Sequence, residues 1–311
     1  MQQKRETLLE IHNLSVSFRM YQHGLEQQEL KVISDLYLTA RPGEIIAIAG
    51  SSGSGKSLLA SAILGILPDN ATVQGHLHYK GQELTPERQK TLRGTEIALV
   101  PQSVAYLDPL MKIGPQVDGA GKQPLAEKRR KLFDRFHLPQ QTEQLYPFQL
   151  SGGMARRVLV STALITDAEL IIADEPTPGM SLDQALEALT MFREMADEGK
   201  AVILITHDID LAFEFADRVA VFYAGTTVET APAADFKAGP EALRHPYSKA
   251  LWKALPQNGF DPIPGFQPYA GHLPKGCLFA PRCPYKTEQC EKQVPPVREI
   301  RGGEVRCYHG A

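Results

Sequence analysis

The sequence predicts an α/β domain built on a partly parallel sheet, followed by a small cysteine-rich extension. The first two thirds of the 311-residue chain alternate short apolar runs with longer amphipathic ones, which is the pattern of α/β proteins. All four cysteines lie in the last 35 residues, where Pro and Gly are dense and hydrophobic periodicity ends. We therefore expect two units, one at 1–255 and one at 256–311.

Eight segments have the length and the apolar content of strands. They cover residues 8–18, 32–38, 44–49, 77–79, 97–100, 170–173, 201–205 and 218–223. The runs at 45–49, 170–173 and 202–205 are almost uniformly apolar, as expected for strands that are covered on both faces. The sheet should therefore be parallel at its centre.

Apolar residues recur at helical spacing in three further segments, which predicts helices at 57–67, 154–166 and 181–198. Residues from about 104 to 148 contain five prolines and a polar helical stretch at 125–136. Together with the next helix, this region predicts a helical insertion at about 104–165. Its basic run, Lys128 to Lys131, is predicted to be a solvated helix face.

The charge balance argues against a polyanion partner. Lys and Arg total 33 against 36 for Asp and Glu, a net charge of -3, so no basic field attracts nucleic acid or anionic lipid. No apolar run approaches the length of a membrane-spanning helix. The first ten residues also lack the apolar core of an export signal. We expect a protein that stays in the cytoplasm.

Residues 50–57 match the phosphate-loop pattern, and the alternative is a flexible Gly/Ser-rich turn. The motif follows an apolar strand and opens an apolar helix, the context that phosphate binding requires. Backbone N–H groups would surround the phosphates, Lys56 would bridge the β- and γ-phosphates, and the Ser57 hydroxyl would ligate Mg²⁺. The predicted nucleotide-binding residues are Gly50, Ser51, Ser52, Gly53, Ser54, Gly55, Lys56, Ser57 and Leu58.

Polar side chains follow three other predicted strands. Asp174 and Glu175 end one of them; Asp174 is placed to hold Mg²⁺ and Glu175 to act as the general base for an attacking water. Adjacent acids are more often solvated loop residues, but the phosphate loop upstream reverses that expectation. His207 should reach the γ-phosphate, and Gln102 should contact Mg²⁺ or the attacking water, because parallel strands end at the ligand crevice.

A second helix start with paired glycines, Ser151, Gly152 and Gly153, follows Gln149-Leu150 and predicts another anion site. Six motifs then stand in the order typical of one family: the phosphate loop, Gln102, the LSGG sequence, the Asp174-Glu175 strand end, the loop after it and His207. Over residues 8 to about 230 the chain therefore resembles the ATP-binding cassette (ABC) family, whose fold is a phosphate-loop NTPase domain with a mixed sheet and a helical subdomain.

The resemblance implies an assembly. Two such domains close head to tail, so that Ser151 to Gly153 of one clamp the γ-phosphate bound by the other. Phe18 matches the adenine-stacking aromatic, with Tyr21 as the alternative. The insertion and the segment after Gln102 would contact a transmembrane partner.

The tail narrows the resemblance. His245 to Leu251, Gly276 to Pro284 and the remaining cysteines look like the C-terminal extension of the oligopeptide/dipeptide/nickel importer ATPases. Members with all four cysteines are associated with a [4Fe-4S] cluster, which would be ligated here by Cys277, Cys283, Cys290 and Cys307. A four-cysteine zinc site and free thiols remain alternatives.

Two departures from the family pattern stand out. Ser181 occupies the position of an aspartate that usually crosses the dimer interface, and Asp183 comes two residues late. No role is predicted for Ala155, Arg156 and Arg157.

The function implied is that of the ATPase subunit of a membrane importer for di- or oligopeptides. Its cofactors would be ATP, Mg²⁺ and the cluster. Its partners would be a second, different ATPase chain, two transmembrane permeases and an extracytoplasmic binding protein, with this chain peripheral on the cytoplasmic membrane face. Uptake of nickel or a metal chelate is the alternative within the class. A soluble cassette protein of DNA repair or translation is the alternative outside it, and the lack of basic surface disfavours it.

Overall fold

The computed structural model describes residues 7–21, 26–51, 53–119 and 125–310. It contains two sheets with helices around them. The strands, numbered along the chain, are β1 (Leu9–Tyr21), β2 (Gln27–Ala40), β3 (Ile45–Gly50), β4 (Ala71–Tyr79), β5 (Gln82–Glu83), β6 (Ile97–Val100), β7 (Leu170–Asp174), β8 (Ala201–Ile205), β9 (Arg218–Tyr223), β10 (Thr226–Pro232), β11 (Val297–Ile300) and β12 (Gly303–Arg306).

Short and medium-length helices connect these strands. They are α1 (Lys56–Leu64), α2 (Pro86–Leu92), α3 (Ile113–Asp118), α4 (Ala126–Arg135), α5 (Gly152–Leu164), α6 (Leu182–Asp197), α7 (Ile209–Phe215), α8 (Ala233–Ala238), α9 (Pro246–Lys253) and α10 (Glu288–Lys292). Of the helices in these described ranges, none combines the length and hydrophobicity that spanning a bilayer requires.

The smaller sheet is antiparallel, with strand order β2-β1-β4-β5. The larger sheet is mixed and runs β11-β12-β10-β9-β3-β8-β7-β6. Its centre is parallel, because β3 pairs in parallel with β8 and β9, and β7 pairs in parallel with β6 and β8. The predicted α/β class with a partly parallel sheet is therefore confirmed.

All eight predicted strands are present, but four strands escaped prediction. The strand β10 has the sequence TTVETAP, which shows no clean apolar alternation, yet Thr226, Thr227 and Glu229 are buried. Their polar groups are satisfied inside the protein; the Thr227 hydroxyl, for example, donates to the Tyr37 carbonyl at 2.6 Å. Burial of hydrogen-bonded polar residues hides a strand from a hydrophobicity pattern.

The tail is only partly the loop-rich module that the sequence predicts. Its strands β11 and β12 form a hairpin, and β12 pairs with β10 at the edge of the larger sheet. Phe279 is buried in the same core as Val219 and Val221 of β9. The sheet and its core are thus continuous across the boundary predicted at residue 255.

The helical insertion shares an apolar core with one face of the larger sheet; Phe133, Phe136 and Val158 of the insertion lie in the same cluster as Ile171 and Val202 of the sheet. One residue of its basic run is not solvated as predicted. Arg129 is buried and is ion-paired with Asp118 and Glu143. Burial of an arginine is tolerated here because both acids neutralise it.

Candidate nucleotide-binding site

The phosphate loop joins the central strand β3 to α1, which places it at the carboxyl edge of the larger sheet. Gly50 begins the loop where it passes close to β9. A Cβ at this position would lie 2.4 Å from the Phe222 carbonyl oxygen, so only glycine fits. Ser52, predicted as part of the loop, lies outside the described residues.

Lys56 is held against the loop that it would help to charge. Its Nζ atom donates to the carbonyl oxygens of Gly50 at 2.9 Å and Ser51 at 3.0 Å. Burial lowers the pKa of Lys56, and the nearby carboxylates of Glu175 and Asp174 oppose that effect. The arrangement holds a cation beside the loop amides, as phosphate binding requires.

Asp174 ends β7 with its carboxylate facing the phosphate loop. The side chain is buried, and this burial raises the pKa of Asp174, while the nearby Ser57 hydroxyl opposes that rise. Its Oδ1 atom has no hydrogen-bond partner. A buried carboxylate oxygen without a partner is costly unless a ligand satisfies it. With the Ser57 hydroxyl beside it, this oxygen suits Mg²⁺, which prefers oxygen ligands.

Glu175 and His207 face each other across the ends of adjacent strands β7 and β8. The Nδ1 atom of His207 lies 2.9 Å from Oε2 of Glu175. The Glu175 backbone amide donates to the Ile205 carbonyl at 2.8 Å, with φ at 47°. A left-handed conformation at a glutamate is strained, and such strain is found where function constrains the backbone.

A cavity of about 480 Å³ joins these groups. Its predicted lining residues are Gly53, Gly55, Lys56, Ser57, Leu58, Gln102, Glu175 and His207, and Val32 of β2 completes the wall. Sequence reasoning missed Val32, because it shows no feature beyond membership of a strand. Phe18 is half-buried against the core under the smaller sheet and does not line this cavity, whereas Tyr21 is 66% exposed.

The LSGG residues form the start of α5, as predicted. The Ser151 hydroxyl caps the helix by accepting a hydrogen bond from the Met154 amide at 3.3 Å. Ser151 and Gly152 are exposed, and neither they nor Gly153 line the cavity at the phosphate loop. The start of α5 is therefore separate from the phosphate-loop cavity of the same chain.

Arg156 and Arg157, which follow the LSGG sequence, hydrogen-bond to backbone carbonyls of other segments. Arg156 donates to the carbonyl oxygens of Pro101 at 3.3 Å and Pro178 at 3.2 Å. Arg157 donates to the carbonyl of Phe136 at 2.6 Å. Burial lowers the pKa of both arginines. Arg156 thus connects α5 to the segments just before Gln102 and just after Glu175.

Ser181 has a local structural role. Its hydroxyl accepts a hydrogen bond from the backbone amide of Gln184, and the Oε1 atom of Gln184 accepts one from the backbone amide of Ser181. This capping box begins α6. Asp183, in the first turn of that helix, is exposed.

Two of the four tail cysteines are joined through their backbones. The amide of Cys277 donates to the carbonyl of Cys290 at 2.8 Å. Burial, with a smaller contribution from the charges of the other three cysteines, raises the pKa of Cys277 to about 11. Gly276 is required beside this contact, because a Cβ there would lie 2.2 Å from the Cys290 carbonyl oxygen. Even so, within the described ranges no three His, Cys, Asp or Glu side chains are grouped so as to hold a metal ion.

The fold and the site define an ATP-binding cassette ATPase. The ABC transporter family matches residues 33–178, and the C-terminal region of oligopeptide/dipeptide transporters matches residues 228–290. A dimeric bacterial ABC transporter cassette superposes with a TM-score of 0.63 at 25% identity, covering 72% of this chain and 98% of that one. A post-hydrolysis state of the cassette, bound to ADP and Pi, gives a TM-score of 0.62 at 25% identity over the same shares of the two chains.

Curated relatives show which branch of the ABC transporter family the chain resembles. The oligopeptide transport ATP-binding protein OppD of Salmonella typhimurium is 34% identical over 98% of this chain and 95% of its own length. The dipeptide transport ATP-binding protein DppD of Escherichia coli is 33% identical over 97% of this chain and 96% of its own. This chain belongs to the family of oligopeptide/dipeptide transporter ATP-binding proteins.

Proposed function

We propose that the chain binds and hydrolyses ATP to power the uptake of di- or oligopeptides. Family membership supports the ATPase activity, and the names of the relatives support peptides as the cargo. The single observation that carries the enzymatic part is the Glu175–His207 pair in the cavity beside Lys56. Nickel or metal-chelate uptake is the second candidate, and it rests on the family resemblance alone.

In the proposed reaction, the loop amides and Lys56 hold the phosphates of ATP. Ser57, Asp174 and Gln102 would hold Mg²⁺, which neutralises charge that develops on the transferred phosphoryl group. Glu175 accepts a proton from the attacking water, and His207 orients the Glu175 carboxylate and contacts the γ-phosphate. Gly50, Ser51, Ser52, Gly53, Ser54, Gly55 and Leu58 complete the binding loop, with Phe18 as the adenine-stacking residue.

The second nucleotide-binding surface is proposed to serve a partner ATPase. Ser151 to Gly153 are exposed at the start of α5 and lie outside this chain's own cavity. Two chains closing head to tail would place each such helix start against the γ-phosphate of the other. The partner is proposed to be a different chain, as the family resemblance implies. Mass spectrometry of the purified complex tests this.

The permease surface is proposed to lie on the segment after Gln102 and on the insertion. Five large apolar residues are exposed there, and they are Val104, Tyr106, Leu110, Met111 and Phe148. Leu110 is 88% exposed, which is unfavourable unless a partner covers it. Two transmembrane permeases on the cytoplasmic membrane face, with an extracytoplasmic binding protein beyond them, are the proposed assembly.

We also propose that residues 256–311 form an extension that holds a [4Fe-4S] cluster, with zinc as the alternative. Four thiols in a reducing compartment are the donor set that iron–sulfur clusters take. The backbone hydrogen bond between Cys277 and Cys290 supports the proposal, although no three potential ligands are grouped for a metal ion among the described residues. Iron, sulfide and zinc assays of anaerobically purified protein separate the possibilities, and a metal-free protein would contradict both.

Peptide uptake by cells tests the transport function. Cells whose own gene is replaced by Glu175→Gln should lose uptake of a labelled dipeptide, whereas Glu198→Gln, an exposed acid at the end of α6, should leave it unchanged. Nickel uptake measured in the same strains distinguishes the second candidate. Co-purification with ribosomes or DNA, and not with permeases, would contradict the membrane assignment.

A further inference from the structure

The cysteine-bearing tail touches the phosphate loop directly. The Ser51 hydroxyl donates to Oε1 of Gln267 at 2.7 Å, across 216 residues of sequence. Gln267 is half-buried in the segment between α9 and the first cysteine. The hydroxyl of a phosphate-loop residue is therefore held by the tail and not by the loop itself.

A second residue converges on the same serine. Tyr247 of α9 is 3% exposed, and its phenol lies next to Ser51. Burial raises the pKa of Tyr247, and the interaction with Ser51 opposes that rise. Gln267 and Tyr247 therefore approach Ser51 from two sides.

Residues at 277–283 contact both Tyr247 and the segment that precedes Gln267. The ring centroids of Tyr247 and Phe279 lie 5.4 Å apart, and the amide of Ala280, the next residue, donates to the Cys277 carbonyl at 3.0 Å. Arg282 donates to the carbonyl oxygens of Pro264 and Ile263, each at 2.9 Å. Arg282 thereby holds the segment that precedes Gln267.

We propose that Gln267 and Tyr247 are positioning residues for ATP binding, through which the tail preorganises the phosphate loop. Neither residue lines the cavity at the loop, so their effect passes through Ser51. Preorganised backbone donors bind an anion more tightly, because less ordering is required at the moment of binding. The inference rests on the proposed ATP site and extends it to the tail.

Binding of ATP to full-length variants tests the inference. Gln267→Ala removes the acceptor for the Ser51 hydroxyl. Tyr247→Phe removes the phenolic hydroxyl group but keeps the packed ring. Each should raise the Kd for ATP about two- to tenfold, which is the range of one net hydrogen bond. The kcat for hydrolysis should change less than twofold, because the groups at the reacting phosphate are untouched. Gln293→Ala, an exposed tail glutamine, is the matched control.

A double-mutant cycle separates positioning from a general loss of structure. If Gln267 acts through Ser51, Gln267→Ala should have no further effect on the Kd in a Ser51→Ala background. Additive effects would overturn the proposed route, and an unchanged Kd in both Gln267→Ala and Tyr247→Phe would overturn the inference. Wild-type binding and its loss in Lys56→Ala are measured alongside. Failure of those two results would contradict the ATP site itself, and not only the role of the tail.

Discussion

Lys56 is the residue that most directly links the loop to its ligand. Its ammonium donates hydrogen bonds to the carbonyls of Gly50 and Ser51. Burial lowers the pKa of Lys56, and the carboxylates of Glu175 and Asp174 oppose that effect. Lys56→Ala should therefore weaken ATP binding by at least about tenfold, because a buried charge contact to phosphate is lost. Titration with a fluorescent ATP analogue measures this loss. Lys90→Ala, an exposed lysine on α2, should bind as the wild type does.

At this scale the sequence predicts which side chains meet at the phosphate loop, but it does not predict the residues that contact the loop from other parts of the chain. Lys56, Ser57, Asp174 and Glu175 are readable because motif and strand ends coincide. Val32, Tyr247 and Gln267 are not, because their roles come from contacts with residues distant in sequence. Arg156 also had no predicted role until its carbonyl partners were seen.

A buried histidine immediately before α9 should make stability depend on pH. His245 caps α9 by accepting from the Tyr247 amide at 2.9 Å, and burial lowers the pKa of His245 to about 3 from 6.5. Because the folded state disfavours the proton, this contribution is complete above pH 6.5 and declines as pH falls below it. At pH 5 the loss is about 2 kcal/mol.

Chemical denaturation at pH 8 and pH 5 measures that loss. His245→Asn keeps a capping oxygen but has no group that titrates in this range. The variant should therefore lose about 2 kcal/mol less than the wild type between the two pH values. Equal losses in the two proteins would show that His245 does not titrate on unfolding.

Elements of the central sheet were predictable because both faces are covered and the strands read as apolar runs. The strand β10 was not, since Thr226, Thr227 and Glu229 are buried with hydrogen bonds. The hairpin β11–β12 was also missed, because pairing with β10 supplies stability that four-residue strands lack by themselves.

At the scale of the whole molecule, a buried arginine that is ion-paired within the cassette also binds the tail. Arg244 and Glu229 are almost fully buried, and Arg244 also donates to the carbonyl oxygens of Ile300 at 2.6 Å and Arg301 at 2.5 Å. Glu229 accepts from the amides of Arg244 and His245. One side chain therefore fixes the hairpin β11–β12 against the end of β10.

Arg244→Met should lower the free energy of unfolding by about 3–5 kcal/mol, since Glu229 would be left buried without its cation. Adding Glu229→Gln should recover part of that loss, because the buried negative charge is then removed. Denaturant midpoints measure both changes, with Arg130→Met as an exposed control. A loss below about 1 kcal/mol in Arg244→Met would contradict this account of how the tail is attached.

The central claim is that Glu175 is the base of an ATPase, and one comparison tests it most directly. ATP binding and steady-state hydrolysis are measured on full-length Glu175→Gln and on the wild type, with Glu198→Gln as the control. The account predicts that Glu175→Gln binds ATP within about twofold of the wild type while its turnover falls at least about 100-fold. Undiminished turnover in Glu175→Gln would contradict the account.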